Sequence, residues 1–319
     1  AVNALSGLMN TVQQPAADVA VTLLTPREHF QRAGGLRSLS YSLNNMLAPA
    51  LATGLYAFTG LRGVILFDLA TFCTAFLSLL FLIRLPSVPG QEQPVLQSAR
   101  AGLDYLRRER GVLDIILFLA AINLTASMFN AALPALTLTR PWGGDHALGL
   151  VQSVSGAAML AGSLAVSLLP APRSRVRVIC NCLLLAMSTE NFCLALGKSL
   201  PLWCVGAALG WVGIPVMNAN LDALVRSRVP VELQGRVYAA RNTLQFFTIP
   251  LGYLLGGLLV DRVFEPAAAR MGEGSLWALL FGTGKGSGAA GLFLALGFLG
   301  VLTCLVFRRD RNIWKLEEP

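Results

Sequence analysis

Apolar residues in this chain come in runs of about twenty, separated by short polar segments. Nine such runs can be read, at about 1–25, 37–57, 62–83, 112–138, 147–169, 176–197, 200–225, 237–260 and 288–307. A helix rises 1.5 Å per residue, and a hydrocarbon core about 30 Å thick takes roughly 20 apolar residues to cross. Each run therefore predicts one membrane-spanning helix, and the fold class is all-α and polytopic. Two shorter stretches have different periods. Pro86, Pro89 and Pro94 break any helix at the start of the segment 84–111. After them Leu96, Ala99, Leu103 and Leu106 recur at helical spacing against Arg100, Asp104, Arg107 and Arg108, which predicts an interfacial amphipathic helix. Trp277–Phe281 is apolar but too short to span, so the connection from about Asp261 to Ser287 is expected to carry it at the interface.

Charge orients the runs. Nineteen of the 25 basic residues fall in five segments, around Arg27–Arg37, Arg84–Arg110, Arg173–Arg177, Arg226–Arg241 and Arg308–Lys315. The connections between hold only Arg62, Arg140, Lys198, Arg262, Arg270 and Lys285. An excess of Lys and Arg marks the cytoplasmic side, so the C-terminus is expected inside and the Gly282–Gly288 loop outside. With 55% hydrophobic and 13% charged residues and a mean hydropathy of +0.61, the net charge of +8 is spread over loops and forms no single patch. Anionic lipid, not nucleic acid, is the partner this predicts. The six cysteines lie in or beside the apolar runs. They have neither the loop placement of a disulfide framework nor metal-ligand spacing, though Cys193 and Cys204 flank a short outer turn where a bridge is conceivable. Gly282-Thr-Gly-Lys285-Gly-Ser-Gly288 lacks phosphate-loop spacing and follows no strand, so it reads as a turn. No metal, no cofactor and no catalytic constellation is expected, and the chain is not read as an enzyme.

The connection opening the second run, Pro26-Arg-Glu28-His-Phe-Gln-Arg32-Ala-Gly-Gly-Leu-Arg37, shares its pattern with the one opening the eighth, Pro230-Val-Glu232-Leu-Gln-Gly-Arg236-Val-Tyr-Ala-Ala-Arg241. Both read P-x-E-x-x-x-R-x-x-x-x-R, 204 residues apart, and each leads into a run with Pro and then Gly: Pro49 and Gly54, Pro250 with Gly256 and Gly257. Such prolines remove a mid-helix hydrogen bond and kink the helix.

Several stretches resemble a known family. Ala48-Pro49-Ala-Leu-Ala-Thr53-Gly54 resembles the Gly-Pro antiporter motif of drug-exporting major facilitator proteins, with Ala48, Ala52 and Thr53 where glycine is frequent. Phe67-Asp68-Leu-Ala-Thr-Phe72, Ala101-Gly-Leu-Asp-Tyr105-Leu-Arg-Arg, Gln234-Gly-Arg-Val-Tyr238 and Leu258-Leu-Val-Asp261-Arg-Val-Phe-Glu265-Pro266 are similar to segments of the macrolide-efflux branch. The 170–177 loop keeps the arginines of a family gating loop but has no Asp. The resemblance, with the six-span repeat, implies a six-plus-six major facilitator fold of which this chain holds spans four to twelve. The first run, with no basic segment before it and a basic connection after it, is expected to run from outside to inside, which fits an odd number of spans upstream. On that scheme residues 1–85 form part of an N-terminal bundle, 86–111 a cytoplasmic linker and 112–319 a C-terminal six-helix bundle.

An ionisable side chain inside a bilayer is costly and by default a functional candidate. Glu190, Asp68, Asp18 and Asp222 are the candidates for proton coupling, with ion-pair or capping roles as the alternative for the last three. Arg32, Arg37, Arg236 and Arg241 stand at helix entrances, where they either anchor phosphates or pair with acids and gate the inner side. Asn10, Gln13, Gln14 and Asn218 are candidates to line a cavity, interhelical hydrogen bonding being the alternative. Met128, Phe129, Phe246 and Phe247 either meet an amphipathic substrate or face lipid. The implied function is a secondary transporter, a proton-coupled exporter of hydrophobic or amphipathic small molecules working by alternating access. It is expected as a monomer in a bacterial inner membrane. Export of a siderophore or secondary metabolite is the alternative substrate class, and a non-transporting membrane remnant or interaction protein the alternative of another kind.

Overall fold

The computed structural model describes residues 16–81, 95–272 and 274–317. Among these residues there is no strand. A helix over 16–24 (α1) leads through a short 3₁₀ turn to α2 (Phe30–Phe81). Then follow α3 (Val95–Arg108), α4 (Arg110–Thr137), α5 (Asp145–Leu168), α6 (Arg175–Leu196), α7 (Leu200–Arg228) and α8 (Val231–Leu259). A π-helical turn over Val260–Phe264 joins α8 to α9 (Glu265–Arg270), and α10 (Leu276–Phe281), α11 (Ser287–Arg308) and α12 (Arg311–Trp314) complete the chain. Seven helices among the described residues are long and apolar enough to cross a membrane. The chain is an all-α, multi-pass membrane protein.

Local chemistry sets the ends of these helices. Pro170 and Pro172 follow α5 and prevent its continuation. Ser174 caps α6 by accepting the Arg177 N–H at 3.1 Å, and Ser275 caps α10 in the same way. Glu317, returning from the C-terminus, accepts the Ser174 hydroxyl at 2.7 Å and the Val176 N–H at 2.8 Å. It thereby brings a carboxylate to the loop whose own sequence has none. The 282–288 segment is a turn in which Gly282, Gly284 and Gly286 all take positive φ, a conformation that a Cβ disfavours.

The helices pack α4 against α8 and α11, α6 against α7 and α11, and α5 against α7 and α2. Two apolar clusters close the ends of this bundle. Ile115, Phe118, Ile179, Leu183, Leu221 and Tyr238 pack at the end that carries the basic segments. Leu136, Ala147, Leu194, Trp203, Ala289 and Phe293 pack at the other. Leu168, Phe298 and Leu302 are exposed on the outer surface, as expected where the solvent is lipid.

Four expectations change. The apolar runs 37–57 and 62–83 are continuous helix apart from Gly60, where φ 65° and ψ −172° leave helical geometry, so no separate loop joins them. The Pro26–Arg37 connection is helical from Phe30, which puts Arg32 and Arg37 on the first turns of α2. The eighth run does not end at 260. It continues through the π turn into α9, because Glu265-Pro-Ala-Ala-Ala favours helix with proline in the first turn. There the Glu265 carboxylate accepts the N–H groups of Gly286 and Ala289 at 2.9 and 3.1 Å, capping α11. The amphipathic α3 packs on α8: Leu106 is buried, Gly102 abuts Arg236, and the Tyr105 hydroxyl donates to the Arg228 carbonyl at 3.3 Å. All six cysteines are free, Cys193 and Cys204 included.

Candidate transport cavity and charge cluster

A cavity of about 730 Å³ opens between α2, α4, α5, α6 and α7. Its size is that of a site for a drug-sized molecule. Glu190 stands in its wall and is only 6% exposed. Gly206 and Gly210 on α7 allow this approach: a Cβ on Gly210 would lie 2.7 Å from both Cβ and Oε2 of Glu190. The Trp211 indole N–H donates to Glu190 Oε1 at 2.7 Å, and no ion pair to Glu190 occurs among the described residues. Lys198, the basic residue nearest in sequence, donates instead to the Leu279 carbonyl at 3.0 Å. The remaining wall combines aromatic faces (Tyr41, Phe129) with uncharged polar groups (Asn130, Gln152, Ser153 and Ser155).

At the basic end a second set of charges joins α1, α2, α7 and α8. Arg37 pairs with the Asp18 carboxylate, and Arg241 pairs with Asp222 at 3.0 Å. Each pair is 19 residues apart in sequence, and the two are separated by the same 204 residues as the Pro-Glu-Arg-Arg pattern. The repeat therefore includes the acidic partner as well as the arginines. Arg226, 4% exposed, breaks the symmetry. It lies 3.8 Å from the Asp18 carboxylate and donates to the Asp18 carbonyl at 3.2 Å and to the Thr22 hydroxyl at 3.3 Å. Thr22 and Arg226 occupy matching positions of the repeat, and they touch each other. Gln234 secures the turn after α7 by donating to the carbonyls of Arg226 and Val229.

The expected residues divide between these places. Glu190 reaches the cavity, as do Phe129 and Asn130. Asp18, Asp222, Arg37 and Arg241 meet in the charge cluster. Asp68 is exposed on α2, where among the described residues only its carbonyl is engaged, by Thr71 at 2.9 Å. Arg32 is exposed, and Arg236 lies under α3. Asn218 is half-buried on α7 and is not among the residues of the cavity wall. Asn10, Gln13 and Gln14, like the side chains of Pro49, Gly54 and Phe246, lie outside the described residues. Phe247 is exposed. Pro250 lies within α8, and Gly256 packs on Met128, whereas Gly257 has nothing within 4 Å. Sequence reasoning missed Trp211, Tyr41, Gln152, Ser153 and Ser155. The polar cluster 152–155 inside an apolar run was a usable signal; nothing distinguished Trp211 from an interfacial tryptophan.

The molecule is thus a multi-pass helical bundle with an internal repeat, a carboxylate-bearing cavity in the half away from the basic segments and paired charges at the basic end. Residues 1–125 match the pattern of the Major Facilitator Superfamily. The chain is 21% identical over 254 residues to Macrolide efflux protein A of Streptococcus pyogenes, a match covering 78% of the chain and 62% of that protein. It is 21% identical over 243 residues to Macrolide efflux protein A of Enterococcus faecalis, covering 75% of each. It is 25% identical over 267 residues to an uncharacterized MFS-type transporter, YfiS, of Bacillus subtilis, covering 78% of the chain and 62% of the relative. The match thus spans less than two thirds of the S. pyogenes and B. subtilis relatives. Residues 1–125 are similar to the Major Facilitator Superfamily, and the matched part of the chain is similar to macrolide efflux proteins.

Proposed function

We propose that the protein is a proton-coupled exporter of hydrophobic or amphipathic small molecules, acting by alternating access in a bacterial inner membrane with its C-terminus cytoplasmic. The observation that carries this reading is the cavity itself, a drug-sized space between the helices whose wall holds the buried carboxyl group of Glu190. The similarity to efflux proteins supports the direction of transport. In this scheme Glu190 exchanges a proton with the exterior, and substrate shares the same space. The Asp18–Arg37–Arg226 and Asp222–Arg241 contacts hold the basic end shut and separate when that end opens. Asp68, exposed on α2 beyond the break at Gly60, takes no part in the cavity. The unit of function is a monomer, since cavity and charge cluster are both built within one chain.

The test uses everted membrane vesicles carrying the complete gene product, with uptake of an amphiphilic dye driven by an imposed pH gradient. Glu190→Gln keeps the size of the side chain and its bond from Trp211 but cannot titrate. It is expected to abolish gradient-driven uptake while dye binding persists. Uptake that survives both collapse of the gradient and Glu190→Gln would remove the proton-coupled reading.

A further inference from the structure

We infer that the C-terminal segment 310–317 is a brace that keeps the basic end of the molecule closed, with Glu317 as its latch; the inference rests on reading that end as a gate and not on proton coupling. Three observations converge on it. First, the segment is built to turn back on the bundle. The Asp310 carboxylate caps α12 by accepting the Asn312 N–H at 2.8 Å, and the Trp314 indole donates to the Arg308 carbonyl at 2.7 Å. Ile313 and Leu316 are buried in the apolar cluster of this end. Gly111 leaves no room for a side chain against the Asn312 carbonyl, and the Asn312 amide donates to the Asp114 carboxylate at 2.9 Å. The segment is thereby seated on the first turns of α4.

Second, from that seat it reaches two more helices. The Glu317 carboxylate accepts the Ser174 hydroxyl and the Val176 N–H at the start of α6, and the Leu316 carbonyl accepts the Arg228 Nε–H at 2.7 Å at the end of α7. A carboxylate at a helix N-terminus satisfies an N–H that has no partner within the helix and complements the helix dipole. Charge makes this acid decisive. The segment carries Arg311 and Lys315, and the loop it meets carries Arg173, Arg175 and Arg177 with no acid of its own. Like charges on both sides oppose docking, and Glu317 supplies the opposite sign where the two meet. Third, the braced parts lead to the charge cluster. The 170–174 loop touches α2, since the Gln31 amide donates to the Pro170 carbonyl at 3.4 Å. Arg228 stands two residues beyond Arg226, the buried cation beside Asp18, and its carbonyl accepts the Tyr105 hydroxyl of α3. Opening the basic end parts α1 and α2 from α5 and α7, so the loop and the end of α7 must shift. The brace ties both to α4 and resists that shift.

Amide hydrogen exchange of the complete protein in detergent, read by mass spectrometry, tests this. Glu317→Ala is expected to speed exchange about tenfold across 176–182, the scale of losing hydrogen bonds to a charged group. If the segment is a brace, exchange also rises several-fold across 16–24 and 30–37, which Glu317 does not touch. Faster exchange confined to 176–182 would make Glu317 a local cap and overturn the inference, and so would unchanged exchange throughout. Arg226→Met, which leaves the segment intact, tests the gate separately and should speed exchange across 16–24. If it does not, the charge cluster does not hold the basic end and the gating reading falls. If it does while Glu317→Ala leaves 16–24 unchanged, gating stands and the brace is removed.

Discussion

Arg226 is the residue on which the basic end converges. Its guanidinium, buried between α7 and α1, meets the Asp18 carboxylate and carbonyl and the Thr22 hydroxyl at once. Removing it leaves Asp18 with Arg37 as its remaining cation and strips Thr22 of a donor. Arg226→Met is therefore expected to lower stability by on the order of 2 kcal/mol, the scale of losing hydrogen bonds to a charged group. Thermal unfolding in detergent measures this. Because the groups act together, Asp18→Asn with Arg226→Met should cost less than the sum of the two single changes. Strict additivity would mean that the contact contributes nothing. At this scale the sequence was partly readable. Acids and arginines in apolar surroundings stand out by type, yet only folding decides that Asp18 and Asp222 each take an arginine 19 residues on, while Glu190 takes an indole.

Helix packing depends on which face of each helix is smooth. Along α8, Gly252 and Gly256 face α4: a Cβ on Gly256 would lie 2.7 Å from the Met128 carbonyl oxygen and 2.8 Å from its Cα, both backbone atoms that cannot move aside cheaply. Gly257, one residue on, points into open space. Gly256→Ala is expected to destabilise by about 1–3 kcal/mol through overpacking. Gly257→Ala should be neutral or stabilising by up to about 1 kcal/mol, since alanine is the better helix former. Unfolding midpoints of the two variants decide the matter, and equal effects would contradict the α4–α8 contact. Adjacent glycines look alike in sequence; a 100° turn of the helix separates their fates. The same limit applies to the prolines. Pro49 and Pro250 stand out in the sequence because they recur in the repeat, but Pro134 and Pro215 also lie inside spanning helices, in α4 and in the α7 that borders the cavity.

The whole molecule is organised by its two ends. One holds the basic segments, the charge cluster, α3 and α12; the other holds the 282–288 turn and Arg140, whose guanidinium donates to the Phe281 carbonyl and lies 5.9 Å from the Trp142 ring. There Arg140 is tied to α10, and burial lowers its pKa, the charge of Glu265 opposing the shift. The charge bias predicts that the 170–178 loop is cytoplasmic and the 282–288 loop external. Single cysteines placed at Arg173 and at Lys285 in a cysteine-free background test this with an impermeant thiol reagent on intact cells. Labelling is expected at 285 and not at 173, and the reverse pattern would invert the topology.

Taken by itself, the sequence determined the class of the protein. Runs of apolar residues of bilayer length admit few solutions other than spanning helices, because backbone polar groups in lipid must be satisfied within the segment. It also determined the repeat, since matching positions 204 residues apart are a property of the chain alone. Only tertiary structure decided which polar groups share a space. Glu190, Trp211, Asn130, Ser153 and Tyr41 come from five helices, and their meeting depends on helix rotation and on small residues such as Gly210 that let α6 and α7 approach. Hydrophobic patterning fixes rotation when one face of a helix is wet. In a membrane both the lipid-facing and the buried sides are apolar, so the pattern along the chain carries little record of which way each side chain turns.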